Sequence, residues 1–135
     1  NETYVKKLQI EARIIGDICL NHVIPAAVRY QNILIENVKG VKEIFGKDYM
    51  NYCSAEIETL KKISTYINNV SVDVDALVEA RKKANRIENI AERAKVYSHS
   101  VKDMMDKVRL SADNLEMLID DEMWPLPKYR ELLFF

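Results

Sequence analysis

Apolar and small residues recur at helical spacing along most of the chain, in three separable runs. In the first, Leu8, Ala12, Ile15, Cys19, Ala26, Tyr30, Ile33, Val41 and Ile44 follow one another without a turn cluster, which predicts a helix over residues 2–45. Pro25 lies inside it. Its ring removes a backbone donor and crowds the carbonyl four residues back, so a kink is expected at residues 21–25. Gly46-Lys47-Asp48 closes the run.

The second run carries Ile57, Leu60, Ile63, Ile67, Val70, Val74, Leu77 and Ala84, alternating steps of three and four as a coiled-coil seam does. Ser54 is the expected N-cap, giving a helix over 55–85. Residues 68–74, rich in Asn, Ser and Val, lower the local helix propensity, and continuity through them is the favoured reading. The third run is the most regular: Ile87, Ile90, Ala94, Tyr97, Val101, Met104, Val108, Ser111, Leu115 and Leu118 predict a helix over 88–122. With no Gly or Pro between the second and third runs, the connecting turn is short and expected at residues 85–89.

Helices of about thirty to forty residues, rising 1.5 Å per residue, are roughly 45–60 Å long. The predicted fold class is therefore all-α: an elongated antiparallel bundle of three long helices, the first kinked at Pro25, followed by an extended or short-helical tail over 123–135. Residues 1–135 form one helical domain in this reading.

Two features lie outside a self-contained bundle. Ile10, Ile14, Ile18, Ile24, Val28 and Ile35 make a second apolar face on the first helix, and a helix apolar on two sides needs two sets of neighbours. The tail, Met123-Trp124-Pro125-Leu126-Pro127-Lys128-Tyr129-Arg130-Glu131-Leu132-Leu133-Phe134-Phe135, stops the helix with two prolines and then crowds large apolar groups together. Such groups pack on something, either this bundle or a neighbour. Ile14, Ile18, Pro25, Trp124, Leu126, Tyr129, Leu132 and Phe134 are the docking candidates.

Composition narrows the function. A formal net charge of -1, from 20 basic against 21 acidic residues, gives no global pull toward nucleic acid or an anionic membrane, and neither is expected as a partner. Cys19 and Cys53 lack disulfide or zinc spacing, which suits a reducing compartment, the cytoplasm. The sequence opens Asn1-Glu2-Thr3-Tyr4, without Met or a signal pattern, so an upstream portion is expected.

Catalytic chemistry finds no foothold. His22 and His99 have no companions at ligand spacing, and there is no nucleophile elbow, phosphate loop or HExxH. Asp120-Asp121-Glu122, three consecutive residues of the predicted third helix, point about 100° apart and cannot all hold one ion. Arg81, Lys82, Lys83 and Arg86 are diluted by Glu79, Glu88 and Glu92, and no aromatic residues interleave for base stacking. Catalytic, cofactor-binding and metal residues are all expected to be none.

Three blocks carry a resemblance. The first spans Ile10-Glu11-Ala12-Arg13, Gly16-Asp17-Ile18, Asn21-His22-Val23-Ile24-Pro25-Ala26-Ala27 and Tyr30-Gln31-Asn32. The second is Glu79-Ala80-Arg81-Lys82-Lys83-Ala84-Asn85, and the third runs from Asp120 through Trp124-Pro125-Leu126-Pro127 to Phe134. Together they resemble the C-terminal region of type III glutamine synthetases, the large bacterial form. The resemblance implies a whole protein that ligates ammonia to glutamate at the expense of ATP, with a divalent metal (Mg or Mn) and a large ring-shaped homo-oligomer. It places the catalytic residues in an upstream catalytic domain of the same chain and leaves this segment inactive alone, an appendage for assembly or support. The competing expectation is a free-standing helical-bundle interaction module, binding a partner along a groove around Pro25.

Overall fold

A computed structural model of the chain describes residues 2–123. Among them every regular element is helical: α1 (Glu2–Ile18), a π turn (Cys19–Val23), α2 (Ile24–Phe45), a 3-10 turn (Gly46–Asp48), α3 (Met50–Asn85), α4 (Ile90–Val96), a second π turn (Tyr97–Val101) and α5 (Lys102–Glu116). The tail lies outside the described residues from Trp124 on.

Heptad-like spacing builds one core. Val5, Leu8, Ala12, Cys19, Val23 and Ala27 from the first stretch meet Ile63, Val70, Val74, Leu77 and Ala84 of α3 and Tyr97, Val101, Met105, Val108 and Leu115 from the third. Each fully buried Val, Leu or Ile contributes about 1.5–3 kcal/mol relative to exposure, so this seam outweighs any surface pairing. Polar pairs order the helices. Gln9 donates to Asn85, Gln31 to Ser64 and Asn37 to Glu56, at 3.0, 2.7 and 3.1 Å, so α1–α2 and α3 run in opposite directions.

Pro25 is the second residue of α2, directly after the first π turn. The Ile24 N–H reaches back five residues to the Cys19 carbonyl. A wider turn at this point absorbs the missing donor of the proline, and Cys19 and Val23 stay buried on the core side. The second π turn corrects one expectation. It sets two four-residue steps in succession, Tyr97 to Val101 to Met105, so Met105 rather than Met104 enters the core. Ile119 likewise enters where Leu118 was expected, and Leu118 and Met104 pack half-buried against it. Ile33, Ile44 and Ile90, expected inside, are exposed.

The helix boundaries also shift. α3 opens with a short turn from Met50 and is kinked at Cys53, so its long continuous part begins beside Ser54, close to the expected 55. The Tyr52 and Cys53 N–H groups both bond to the Tyr49 carbonyl, and the helix passes through the non-helical Cys53 (φ -137, ψ 22). Stacking of the Phe45 and Tyr52 rings, centroids 3.9 Å apart, closes the turn. α3 then runs unbroken through residues 68–74. The next turn occupies residues 86–89, where the Asn89 side chain accepts the Glu92 N–H and caps α4.

α5 ends at Glu116, not at 122. The Leu118 and Ile119 N–H groups share the Leu115 carbonyl, which ends the helical ladder and swings Ile119 into the core. Acids at Asp113 and Glu116 load the negative end of the helix dipole, an arrangement that favours stopping there. Asp120, Asp121 and Glu122 are consequently not helical. The Asp120 carboxylate accepts the Glu122 N–H at 2.8 Å, a local turn that uses the acid as a backbone cap.

Candidate functional site

A groove of about 190 Å³ between the start of α1 and α4 is lined by Glu2, Val5, Lys6, Gln9, Ile90 and Arg93. A groove of about 100 Å³ between α1 and α3 is lined by Ala12, Arg13, Gly16, Asp17, Leu20, Val74, Leu77, Val78 and Arg81. Ligand pockets run to several hundred Å³, so this one accommodates a side chain and not a nucleotide. Pro25 is not among its lining residues, and the partner groove expected around that proline is not where this one lies. No group of three His, Cys, Asp or Glu residues able to hold a metal ion exists among the described residues. Both histidines sit on π turns and face solvent.

The two cysteines are buried thiols. Burial pushes Cys19 up to about 11, and it raises Cys53 as well, helped by the Glu56 carboxylate. The Cys53 thiol donates to the Tyr49 carbonyl at 3.2 Å. A thiol held protonated is a poor nucleophile and a poor metal ligand, so both act as small core residues.

Asn85 ties the three helical stretches together. Its side-chain oxygen accepts from Gln9 of α1 at 3.0 Å and also from the buried Tyr97 hydroxyl. The block Glu79-Ala80-Arg81-Lys82-Lys83-Ala84-Asn85 thus ends at a junction: Ala84 is buried, Arg81 lines the groove, and Lys82 pairs with Glu79 on the surface at 3.8 Å. The block is legible in the sequence, whereas the role of Asn85 depends on partners 76 and 12 residues away.

What the surface does present is apolar area, unevenly spread. Among the described residues, nine of the fifteen exposed large hydrophobic ones lie on α1, the first π turn and α2. Ile10 and Ile14, one turn apart, are 59% and 50% exposed, and Leu20, Val28, Ile33 and Ile35 continue the series. The face expected from spacing alone divides: Ile18 and Ile24 pack half-buried against the core, whereas Ile10, Ile14, Val28 and Ile35 remain in water. Pro25 is half-buried between the two groups. Trp124, Leu126, Tyr129, Leu132 and Phe134, the other docking candidates, lie outside the described residues.

Comparison with known proteins bears on the same stretch. Residues 1–42 match the family described as "Glutamine synthetase C-terminal domain". Over 98% of its length the chain is 48% identical to a glutamine synthetase of Bacteroides fragilis. A type-3 glutamine synthetase of Dictyostelium discoideum and a glutamine synthetase of Butyrivibrio fibrisolvens are each 27% identical over 98% of the chain. The chain spans less than a fifth of each of these relatives, 18% of the first two and 19% of the third.

Proposed function

Because the chain belongs to the glutamine synthetase C-terminal domain family, we propose that it is a non-catalytic helical domain of such an enzyme that supports subunit assembly or buttresses the catalytic domain. In this reading the ligation of ammonia to glutamate, with its ATP and its Mg or Mn, belongs to the part of the protein this chain does not span. The chain's own contribution is shape: an elongated antiparallel bundle, bent beside Pro25, within a cytoplasmic homo-oligomer. No described helix is long and apolar enough to cross a membrane.

The observation that carries the reading is the apolar surface concentrated on the first helical stretch, with Ile10 and Ile14 at its start. An area of this kind left in water costs solubility, and covering it with the catalytic domain or a neighbouring subunit removes that cost. Ile18 and Pro25 border this face, and Trp124, Leu126, Tyr129, Leu132 and Phe134 complete the set of docking residues. The test is a synthetase assay with glutamate, ammonia, ATP and Mg on the isolated chain beside the full-length enzyme. Glutamine from the full-length enzyme alone is expected; turnover by the isolated chain overturns the proposal.

A further inference from the structure

The groove between α1 and α3 has an apolar floor and a charged rim. Val74 and Leu77, both buried, belong to its floor, and Arg13, Asp17 and Arg81 stand along it. Among the described residues, none of these three charged groups makes an ion pair or a hydrogen bond. Arg81 is half-buried, and a guanidinium that gives up part of its hydration recovers it only from an acceptor. Gly16 leaves the groove open. It lies inside α1, where glycine is less favourable than alanine. Neither backbone nor packing demands it: its φ is not positive, and an added Cβ would meet nothing nearer than Val74 Cγ1 at 3.9 Å. On α1 the groove adjoins the exposed apolar face. Arg13 and Asp17 are three and seven residues on from Ile10 and share its side of the helix, and the exposed Leu20 lines the groove itself.

We propose that this groove receives one Asp or Glu side chain of a neighbouring subunit in the full-length enzyme, its methylene stem on Val74 and Leu77 and its carboxylate between Arg13 and Arg81. The inference rests on the reading of the chain as an assembly domain: the subunit that covers Ile10 and Ile14 also covers the groove beside them. Charge selects the occupant. Arg13 and Arg81 against Asp17 leave the rim one positive charge in excess, which a single carboxylate neutralises and a lysine or arginine would double. Size agrees, since about 100 Å³ admits one side chain. Arginine is also the cation suited to a carboxylate at an interface, because its planar fork can donate two parallel hydrogen bonds to the two oxygens.

Carbodiimide cross-linking of the full-length enzyme identifies the occupant, because the reagent joins a lysine amine to a carboxylate in contact with it and leaves arginine alone. Arg81→Lys is expected to gain a link from residue 81 to an Asp or Glu of a second subunit, absent from the unsubstituted enzyme. It should appear as a band of doubled mass under denaturing conditions, with the joined peptides assigned by mass spectrometry. Arg13→Glu with Arg81→Glu is expected to sediment as smaller species, while Arg13→Lys with Arg81→Lys keeps the full-size particle. No link at residue 81, a link within one subunit, or a link to Asp17 alone overturns the proposal. So does a full-size particle from the charge-reversed pair, or a particle broken equally by the lysine pair. Should Ile10→Asp with Ile14→Asp dissociate the enzyme and the charge-reversed pair not, this inference fails and the assembly reading stands; if neither pair dissociates it, both fail.

Discussion

The Ser111 hydroxyl donates a 2.8 Å hydrogen bond to the Asp73 carboxylate, joining α5 to α3 inside an otherwise apolar seam. Ser111 occupies a core position of the third run and is the one buried polar residue among those described. Its partner lies in the stretch of α3 with the weakest helix propensity, so the bond anchors that stretch by its side chain. Ser111→Ala leaves a half-buried carboxylate short of a donor, and an expected loss of about 1–2 kcal/mol follows. Urea unfolding with an unchanged slope checks it, and a double cycle with Asp73→Ala should recover most of the loss as coupling.

Two glycines should respond with opposite signs. Gly40 lies inside α2 with nothing within 4 Å of an added Cβ, so Gly40→Ala is expected to stabilise by about 0.5–1 kcal/mol through helix propensity. Gly46 holds φ +57 and ψ -128, a conformation side chains disfavour. Gly46→Ala should therefore destabilise by about 1 kcal/mol or more. Thermal melts of the pair decide it; equal shifts in one direction would contradict the turn geometry.

Asn85 holds α1 and the third stretch at once, so Asn85→Ala should cost more than Gln9→Ala. Gln9 loses one exposed bond, worth a few tenths of a kcal/mol to about 1, while removal of Asn85 also strands the hydroxyl of a fully buried tyrosine. Tyr97→Phe should restore part of the Asn85→Ala loss, because the stranded hydroxyl is gone. The comparison needs only the midpoints of chemical unfolding.

Alkaline pH should weaken the fold through Cys19. Burial raises its thiol to about 11 in the folded chain, above the ordinary thiol value of 9.0, so the folded state holds the proton more tightly. That stability is fully present below pH about 9 and is lost as pH rises toward about 11. Cys53, also raised, adds in the same direction. Lys and Tyr titrate in this window as well. The informative quantity is the difference in pH slope between the native sequence and Cys19→Ala, with the variant expected to be the flatter.

How much of this was legible in the sequence differs by element. The α3 seam was read residue by residue from Ile63 to Ala84, because an uninterrupted α-helix preserves the three-four spacing that the reading assumes. In the third run Tyr97, Val101, Val108, Ser111 and Leu115 were read as core residues and are buried, whereas Ile90 is exposed and Met105 takes the place of Met104. The π turn over Tyr97–Val101 adds a residue to the spacing just before that exchange, and no residue type in it announces the turn. Pro25 signalled that something must yield nearby, without saying that a π turn would be the form. Ile33 and Ile44 misled for a different reason. Spacing distinguishes faces only where a third helix exists to bury them, and beyond Glu116 there is none among the described elements.

The docking face was half legible. Ile10 and Ile14 were placed on it and are exposed, but Ile18 and Ile24 share their apparent stripe and turn toward the core. Asn85 was marked only as the end of a block and of the second helix, not as a junction. A polar residue at a helix end is ordinary, and only the folded chain brings Gln9 and Tyr97 to it.

The central claim is that this helical segment supplies architecture to a glutamine synthetase, and particle mass tests it most directly. Ile10→Asp with Ile14→Asp should leave the melting temperature of the isolated 135-residue chain unchanged, since both side chains are already exposed, and the same pair is introduced into the full-length enzyme. In analytical ultracentrifugation the full-length variant is predicted to sediment as species smaller than the unsubstituted enzyme, with activity falling alongside. A full-size, fully active particle would contradict the account.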